Sequence, residues 1–306
     1  AFTGLTGGVL GSVIMAIVGD IIPAQRRGAA MGTVMTAFSM ATVAGVPLGV
    51  ALGANFGWQA PFWFLVILSA VVWVPASRIV PSLTSHLAKG AAPLRRVLPD
   101  LFHLLADPRH VKAFIATALI MSSGMLIIPF IPSMLVLNHG VEPSQLFWIY
   151  MVGGLATFFT ARAIGRFSDR YGKQRVFRLV AVAAMVPMIF ITHLPPMPYL
   201  AVVALFPCFM VLVSGRNIPL QALQTTVPVP AKRGAFLSIN SAVQSMATGF
   251  GAWAGGLMVS IDASGQLAGY GNNGWLAAAL TGAAAAWITR VRPAPVPTPA
   301  PASAKA

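Results

Sequence analysis

Acidic residues are nearly missing from this sequence: six Asp and Glu stand in 306 residues, against twenty Lys and Arg. All six, Asp20, Asp100, Asp107, Glu142, Asp169 and Asp262, fall between apolar runs or at their ends. Cysteine is scarcer still. The single Cys208 excludes an internal disulfide framework and a thiolate metal cluster, and its place inside an apolar run predicts a buried, inert thiol. The five His are scattered without ligand spacing, and the sequence lacks H-E-x-x-H, G-x-S-x-G and a phosphate-cradling glycine loop. It therefore offers no catalytic centre, no metal site and no cofactor site. The net charge of +14 does not point to nucleic acid, because the basic residues come in short clusters between apolar runs rather than on one soluble face.

What is present is apolar. Hydrophobic residues make up 57% of the chain and charged ones 8%, with a mean hydropathy of +0.79, more than a water-soluble fold can bury. Glycine (29) and proline (24) are abundant, as in membrane helices, where small residues allow close packing and neighbours satisfy the backbone groups that Pro frees. A hydrocarbon core of about 30 Å takes roughly 20 helical residues. Nine stretches meet that length, at about 1–22, 28–54, 58–80, 111–137, 145–164, 175–193, 198–222, 235–261 and 274–290. Their continuous apolarity predicts helices, since barrel strands would alternate. The first stretch has no basic leader and does not read as a signal peptide.

Charge orients these spans. Basic residues follow the first, third, fifth, seventh and ninth spans, as at Arg26 and Arg27, Arg78 to Lys112, Arg162 to Arg178, Lys232 and Arg233, and Arg290 onward. The four opposite loops, 55–59, 138–145, 192–198 and 262–274, hold no Lys or Arg. The positive-inside rule makes the basic side cytoplasmic, C-terminus included. Only Arg216 breaks the pattern. The expected organisation is 1–80 as the remainder of an N-terminal half, 81–110 as a cytoplasmic linker, 111–291 as a six-helix C-terminal half and 292–306 as a disordered Pro/Ala-rich tail.

A repeat supports two halves. At a constant spacing of 206, Arg27, Gly28 and Ala29 match Arg233, Gly234 and Ala235, Ser39 to Thr42 match Ser245 to Thr248, and Gly45 and Gly49 fall on Gly251 and Gly255. That spacing covers six spans, an even number, so both copies run the same way. A six-helix unit leaves the spans between 111 and 193 without partners, and the expected parent has twelve helices, nine of them present.

Within "GRFSDRYGKQR" (165–175), Gly165, Asp169, Arg170, Gly172 and Lys173 fit G-x-x-x-D-R-x-G-[KR] after the second helix of a half. This arrangement resembles the major facilitator superfamily of secondary transporters, an all-α polytopic membrane bundle. "IIPAQRRGAAMG" (21–32), "GVPLG" (45–49), "FGWQAPFWF" (56–64) and "GRNIPLQALQTTVPVPAKRG" (215–234) are similar to its drug and sugar efflux, arabinose-efflux-like branch. In one departure, Val46 separates Gly45 from Pro47 where efflux members often have adjacent Gly-Pro. The resemblance implies alternating-access transport of a small organic molecule, with protons as the candidate coupling ion, by a monomer in the bacterial inner membrane. A non-transporting scaffold or sensor on the same fold is the alternative.

Two sets of residues are candidates. The resemblance makes the glycine-acid-arginine turn a conformational latch: Gly165 and Gly172 allow close approach and tight turning, and Asp169 meets the positive end of the helix beginning near Gly28. Arg170 and Lys173 would tie neighbouring helix ends, with Asp20 in the same kind of network. For substrate, counting at about 1.5 Å per residue places Ser12, Phe38, Ser39, Ser122, Thr157, Cys208 and Gln244 near mid-membrane. The amide of Gln244, with Asn240 one turn before it, is expected to face the bundle, as lipid offers no hydrogen bond. Both readings of these amides stay open, interhelical bonding and ligand contact. Arg216 is placed near the inner surface, within reach of water, with Asn217, Gln221 and Gln224 as a polar strip. No acid lies at mid-depth, so a proton-coupling carboxylate is not found among these nine spans.

Overall fold

The computed structural model describes residues 44–79, 104–229 and 232–294. The first span and most of the second, of the linker and of the tail lie outside the described residues.

Helices α1 (Val46–Phe56) and α2 (Ala60–Ile79) precede the linker. After it come α3 (Pro108–Met125), α4 (Ile131–His139), α5 (Leu146–Tyr171), α6 (Lys173–Thr192), α7 (Tyr199–Gly215) and α8 (Asn217–Gln224). Last are α9 (Arg233–Leu257), a hairpin of β1 (Ser260–Ile261) and β2 (Leu267–Ala268), and α10 (Tyr270–Trp287). Five helical segments among the described residues are long and apolar enough to cross a membrane: Ala60–Arg78, Pro108–His139, Pro143–Tyr171, Lys173–Thr192 and Tyr199–Gln224. Two of the nine expected spans fall wholly or mostly outside the described residues, and the count of nine is not established. Helices α9 and α10, 25 and 18 residues long, use many positions for Gly, Ala, Ser and Asn, which pack helices closely but carry little hydropathy.

Proline and glycine set the breaks. The stretch expected as one span at 111–137 is two helices, because Pro129 and Pro132 cannot donate to the carbonyls one turn back. Between them the chain tightens into a short 3-10 turn at Ile128–Phe130. Side chains of α10 reach two carbonyls at this break: Asn273 Nδ2 donates to Leu126 O at 2.8 Å, and Tyr270 Oη donates at 3.0 Å to Ile127 O, which also accepts from Phe130 N–H. The stretch 198–222 likewise divides at Gly215–Arg216, ahead of Pro219. The loop expected after 164 is instead helix: α5 runs on to Tyr171, and the reversal is a single residue, Gly172, at φ 93°. The loop expected at 262–274 holds β2 and the first turn of α10, while β1 falls at the end of the span expected at 235–261.

Helix α9 packs along α3, α7 along α5, and α10 along α6 and α3. Glycine makes the first contact close: a Cβ at Gly251 would stand 2.6 Å from the carbonyl oxygen of Ser122, and one at Gly255 3.0 Å from that of Leu126. Two apolar cores result. One, around Ile127, Leu135, Ile149, Met188 and Phe206, lies toward the hairpin end. The other, around Phe114, Phe177, Leu220, Phe236 and Ile288, lies toward the basic end. Between them runs a buried polar layer of Ser122, Ser123, Arg216 and Thr281. Helix α2 is different. Trp63 and Trp73 are 67% and 71% exposed and none of its apolar stretch is buried, a surface that water would not tolerate and lipid solvates.

Candidate functional site: the polar layer and the basic turn

The polar layer is fixed by helix–helix hydrogen bonds. Ser122 Oγ donates to Ala247 O at 3.0 Å, binding α3 to α9 where Gly251 lets them touch. Asn240 is buried in a closed triangle: its Nδ2 donates to Gln224 Oε1 at 3.0 Å, its Oδ1 accepts from Thr117 Oγ1 at 2.7 Å, and Gln224 Nε2 donates to Thr117 Oγ1. This joins α3, α8 and α9. Gln224 is therefore committed inside the bundle rather than lining a vestibule, while Gln221, three residues earlier, is exposed. The strip read from the sequence does not share one environment.

Gln244 stands apart from Asn240. It is half-buried, and among the described residues its amide has no hydrogen-bond partner. One turn separates an amide consumed by packing from one left available. Thr157 donates back to Gly153 O at 2.9 Å, a bond within its own helix. Cys208 is exposed, not buried as expected, because the buried face of α7 is made by Val202, Phe206, Phe209 and Val213 and the thiol falls on the other side.

Arg216 departs most from expectation. It is 1% exposed and does not reach water. Helical side chains lean toward the helix N-terminus, and α7 starts at the hairpin end, so the guanidinium reaches back toward mid-depth instead of snorkelling to the basic end. There one terminal nitrogen donates to Thr281 Oγ1 at 2.6 Å and lies 3.6 Å from Met188 Sδ. Its Nε is buried without a partner, and no carboxylate among the described residues pairs with it. Thr281 in turn donates to Ala277 O at 2.8 Å.

At the basic end, Gly172 N–H closes α5 on Ser168 O at 3.1 Å and its positive φ begins α6. No such constraint acts at Gly165: no described atom lies within 4 Å of a Cβ built there, so the expected close approach is not seen. Asp169 and Arg170 are exposed and Lys173 is half-buried. Among the described residues Asp169 pairs with no cation. Its expected partner near Gly28 lies outside the described residues, as do Asp20 and Phe38. The turn is anchored from below by Gln174 Nε2, which donates to Val291 O. Helix α10 is held to α3 by Trp287 Nε1 to Lys112 O at 3.0 Å. Among the described residues no group of three or more His, Cys, Asp or Glu is gathered for a metal.

Sequence reading missed Thr117, Thr281 and Asn273. Thr117 and Thr281 are single hydroxyls in apolar runs with no motif around them, and Asn273 was read as loop. A polar group embedded near a Pro-broken helix was the available signal for Asn273, since freed carbonyls need donors.

Comparison with known proteins adds the family. The chain is 26% identical over 226 residues to the "Uncharacterized MFS-type transporter YtbD" of Bacillus subtilis, covering 74% of this chain and 54% of that protein. It is 27% identical over 173 residues to the "Chloramphenicol resistance protein" of Streptomyces lividans, covering 56% and 42%. A "Probable sugar efflux transporter" of Mannheimia succiniciproducens is 24% identical over 152 residues, covering 50% and 36%. The chain thus spans about half the length of the curated relatives it matches. The family model described as Major Facilitator Superfamily matches residues 1–228 and, again, residues 113–306. Apolar helices that only lipid can solvate, a glycine turn closing a basic helix end and a family match along the whole length agree: this multi-pass membrane protein belongs to the Major Facilitator Superfamily.

Proposed function

We propose that the chain is part of a secondary transporter that exports small organic molecules by alternating access, with residues 165–173 as a latch at its cytoplasmic mouth. The observation that carries this reading is the double match of the family model, overlapping at 113–228. A family built of two like halves behaves in this way when one half aligns with both. The sequence repeat at a spacing of 206 supports the same duplication. The name of one relative, a probable sugar efflux transporter, supports export as the direction.

In this mechanism Gln244 is the substrate contact, since among the described residues its amide is unspent and its neighbour's is not. Asn240, Ser122 and Arg216 hold the wall that presents it, and Phe38 completes the facing wall. An amide among apolar surfaces suits an uncharged or amphipathic solute. Asp169 acts at the turn. With the cavity facing outward it meets the positive helix end near Gly28, with Asp20 in a matching contact, and the halves rock when this contact breaks. Asp169 is exposed and, among the described residues, pairs with no cation, so its carboxylate is accessible to such a counterpart. Protons are the proposed coupling ion and a monomer the proposed unit.

The test is efflux and counterflow of a labelled amphiphile from vesicles containing the full-length transporter. Gln244→Ala should raise KM with little change in the maximal rate, whereas Asp169→Asn should lower the maximal rate by about tenfold or more with membrane insertion unchanged. Wild-type kinetics from Asp169→Asn would remove the latch, and absence of saturable movement in the wild type would remove the transporter.

A further inference from the structure

The basic end of α5 carries a row of three arginines, of which the latch takes only Arg170. Arg162, Arg166 and Arg170 recur every fourth residue and so stack along one face of the helix. That face is turned from the bundle: Gly153 on the other side meets Phe206 and Met210 of α7 and Ser168 is buried, whereas all three arginines are exposed. One turn beyond Arg162 on this face lies a groove of about 280 Å³ lined by Ala163, Arg166, Phe167 and Arg170. Its aromatic side is ordered: Phe167 stacks on Tyr171 with ring centres 5.9 Å apart, and the Arg170 guanidinium sits 5.4 Å over the Tyr171 ring. Among the described residues none of the three arginines is paired with a carboxylate.

Depth gives the groove a ligand. A crossing of roughly 20 residues that begins at Leu146 ends near Arg166, so Arg166 and Arg170 stand at headgroup level and Arg162 at the edge of the hydrocarbon. Phe159, one turn nearer the centre than Ala163, is 71% exposed at the depth of acyl chains. We propose that this groove binds the phosphate of an anionic phospholipid, with Arg162 and Arg166 holding its oxygens and Phe159 and Phe167 lying against its chains. Planar guanidinium forks suit phosphate oxygens, and repeated cations at the bilayer surface favour acidic headgroups. This requires only that α5 crosses the bilayer, so it stands or falls separately from transport.

Native mass spectrometry of the purified full chain tests it, with phosphatidylglycerol, phosphatidylcholine or inorganic phosphate added. Phosphatidylglycerol should stay bound at collision energies that strip phosphatidylcholine. The double variant Arg162→Gln/Arg166→Gln should weaken phosphatidylglycerol binding by about tenfold or more, each exposed cation near an anionic surface contributing about 1 kcal/mol. Arg175→Gln/Arg178→Gln removes the same charge from the start of α6 and should leave binding unchanged. Size-exclusion profiles establish that both variants are folded, and Arg166→Lys, which keeps charge without the fork, should lie between them. Equal loss in both double variants, unchanged binding in the first, equal retention of phosphatidylcholine, or displacement by millimolar inorganic phosphate would each overturn the site.

Discussion

At the scale of the residue, Arg216 is a buried cation held by Thr281 and packed on Met188, with its Nε unsatisfied. Desolvation of such a charge is a standing cost, and a flexible apolar side chain of similar length removes it. Arg216→Met is expected to leave thermal unfolding in detergent unchanged or to stabilise by about 1–4 kcal/mol, while Arg216→Ala, which opens a void, loses about 2 kcal/mol or more. A sharp loss in the Met variant would show that the charge itself holds the bundle. Asn240→Ala has the opposite logic, because it strands Gln224 and Thr117; a loss of about 1–3 kcal/mol in the same assay is expected. Asn240 was legible in the sequence only as the amide one turn before Gln244 in an apolar run. Its closing partners were not, since Thr117 and Gln224 lie 123 and 16 residues away and only the tertiary fold joins them.

At the scale of the element, the sequence located the helices better than their ends. Charge at "GRFSDRY" reads as loop by the logic of membrane insertion, yet charge does not end a helix, and α5 continues until Gly172 turns it. Pro129 and Pro132 were visible as letters, but the stretch around them was long and apolar enough to read as one span. The repeated glycines carried more information than matching alone. Gly251 and Gly255 are where α9 touches α3, whereas no described atom lies within 4 Å of a Cβ at Gly45 or Gly49. Gly251→Ala should cost about 1–3 kcal/mol in thermal stability because backbone, not a flexible side chain, stands in the way. The hairpin offers a pH test. Asp262 accepts from the Ser264 hydroxyl and from the Ser264 and Gln266 N–H groups, with the hydroxyl first in effect, and these bonds hold its carboxyl below the ordinary 3.8. A depressed carboxylate stabilises its turn above the ordinary value and loses that contribution as pH falls through the depressed one. Amide exchange at Ser264 and Gln266, corrected for intrinsic rate, should therefore speed up only below the usual aspartate range, and Asp262→Asn should abolish that dependence.

At the scale of the whole molecule, composition and the positive-inside pattern made a polytopic membrane protein legible before any coordinates, and the family match agrees. How the helices pair was not legible, because lipid-facing and bundle-facing positions of a helix apolar all round look alike in sequence. Sidedness can be tested directly. On a Cys208→Ser background, Ser144→Cys and Arg175→Cys, both at exposed positions, should react with an impermeant maleimide from opposite faces of the membrane. Reaction from one face would mean that α5 does not cross. The hairpin adds a mechanical result. Asn138 at the end of α4 grips β2 through both amide atoms, at 3.0 Å to Leu267 O and 2.7 Å from Leu267 N, while Asn273 and Tyr270 hold the carbonyls of Leu126 and Ile127 at the break beneath α4. Leverage applied to the hairpin is thereby delivered to α4 and the first turn of α10 together, and the kinked joint next to them is where it would be absorbed.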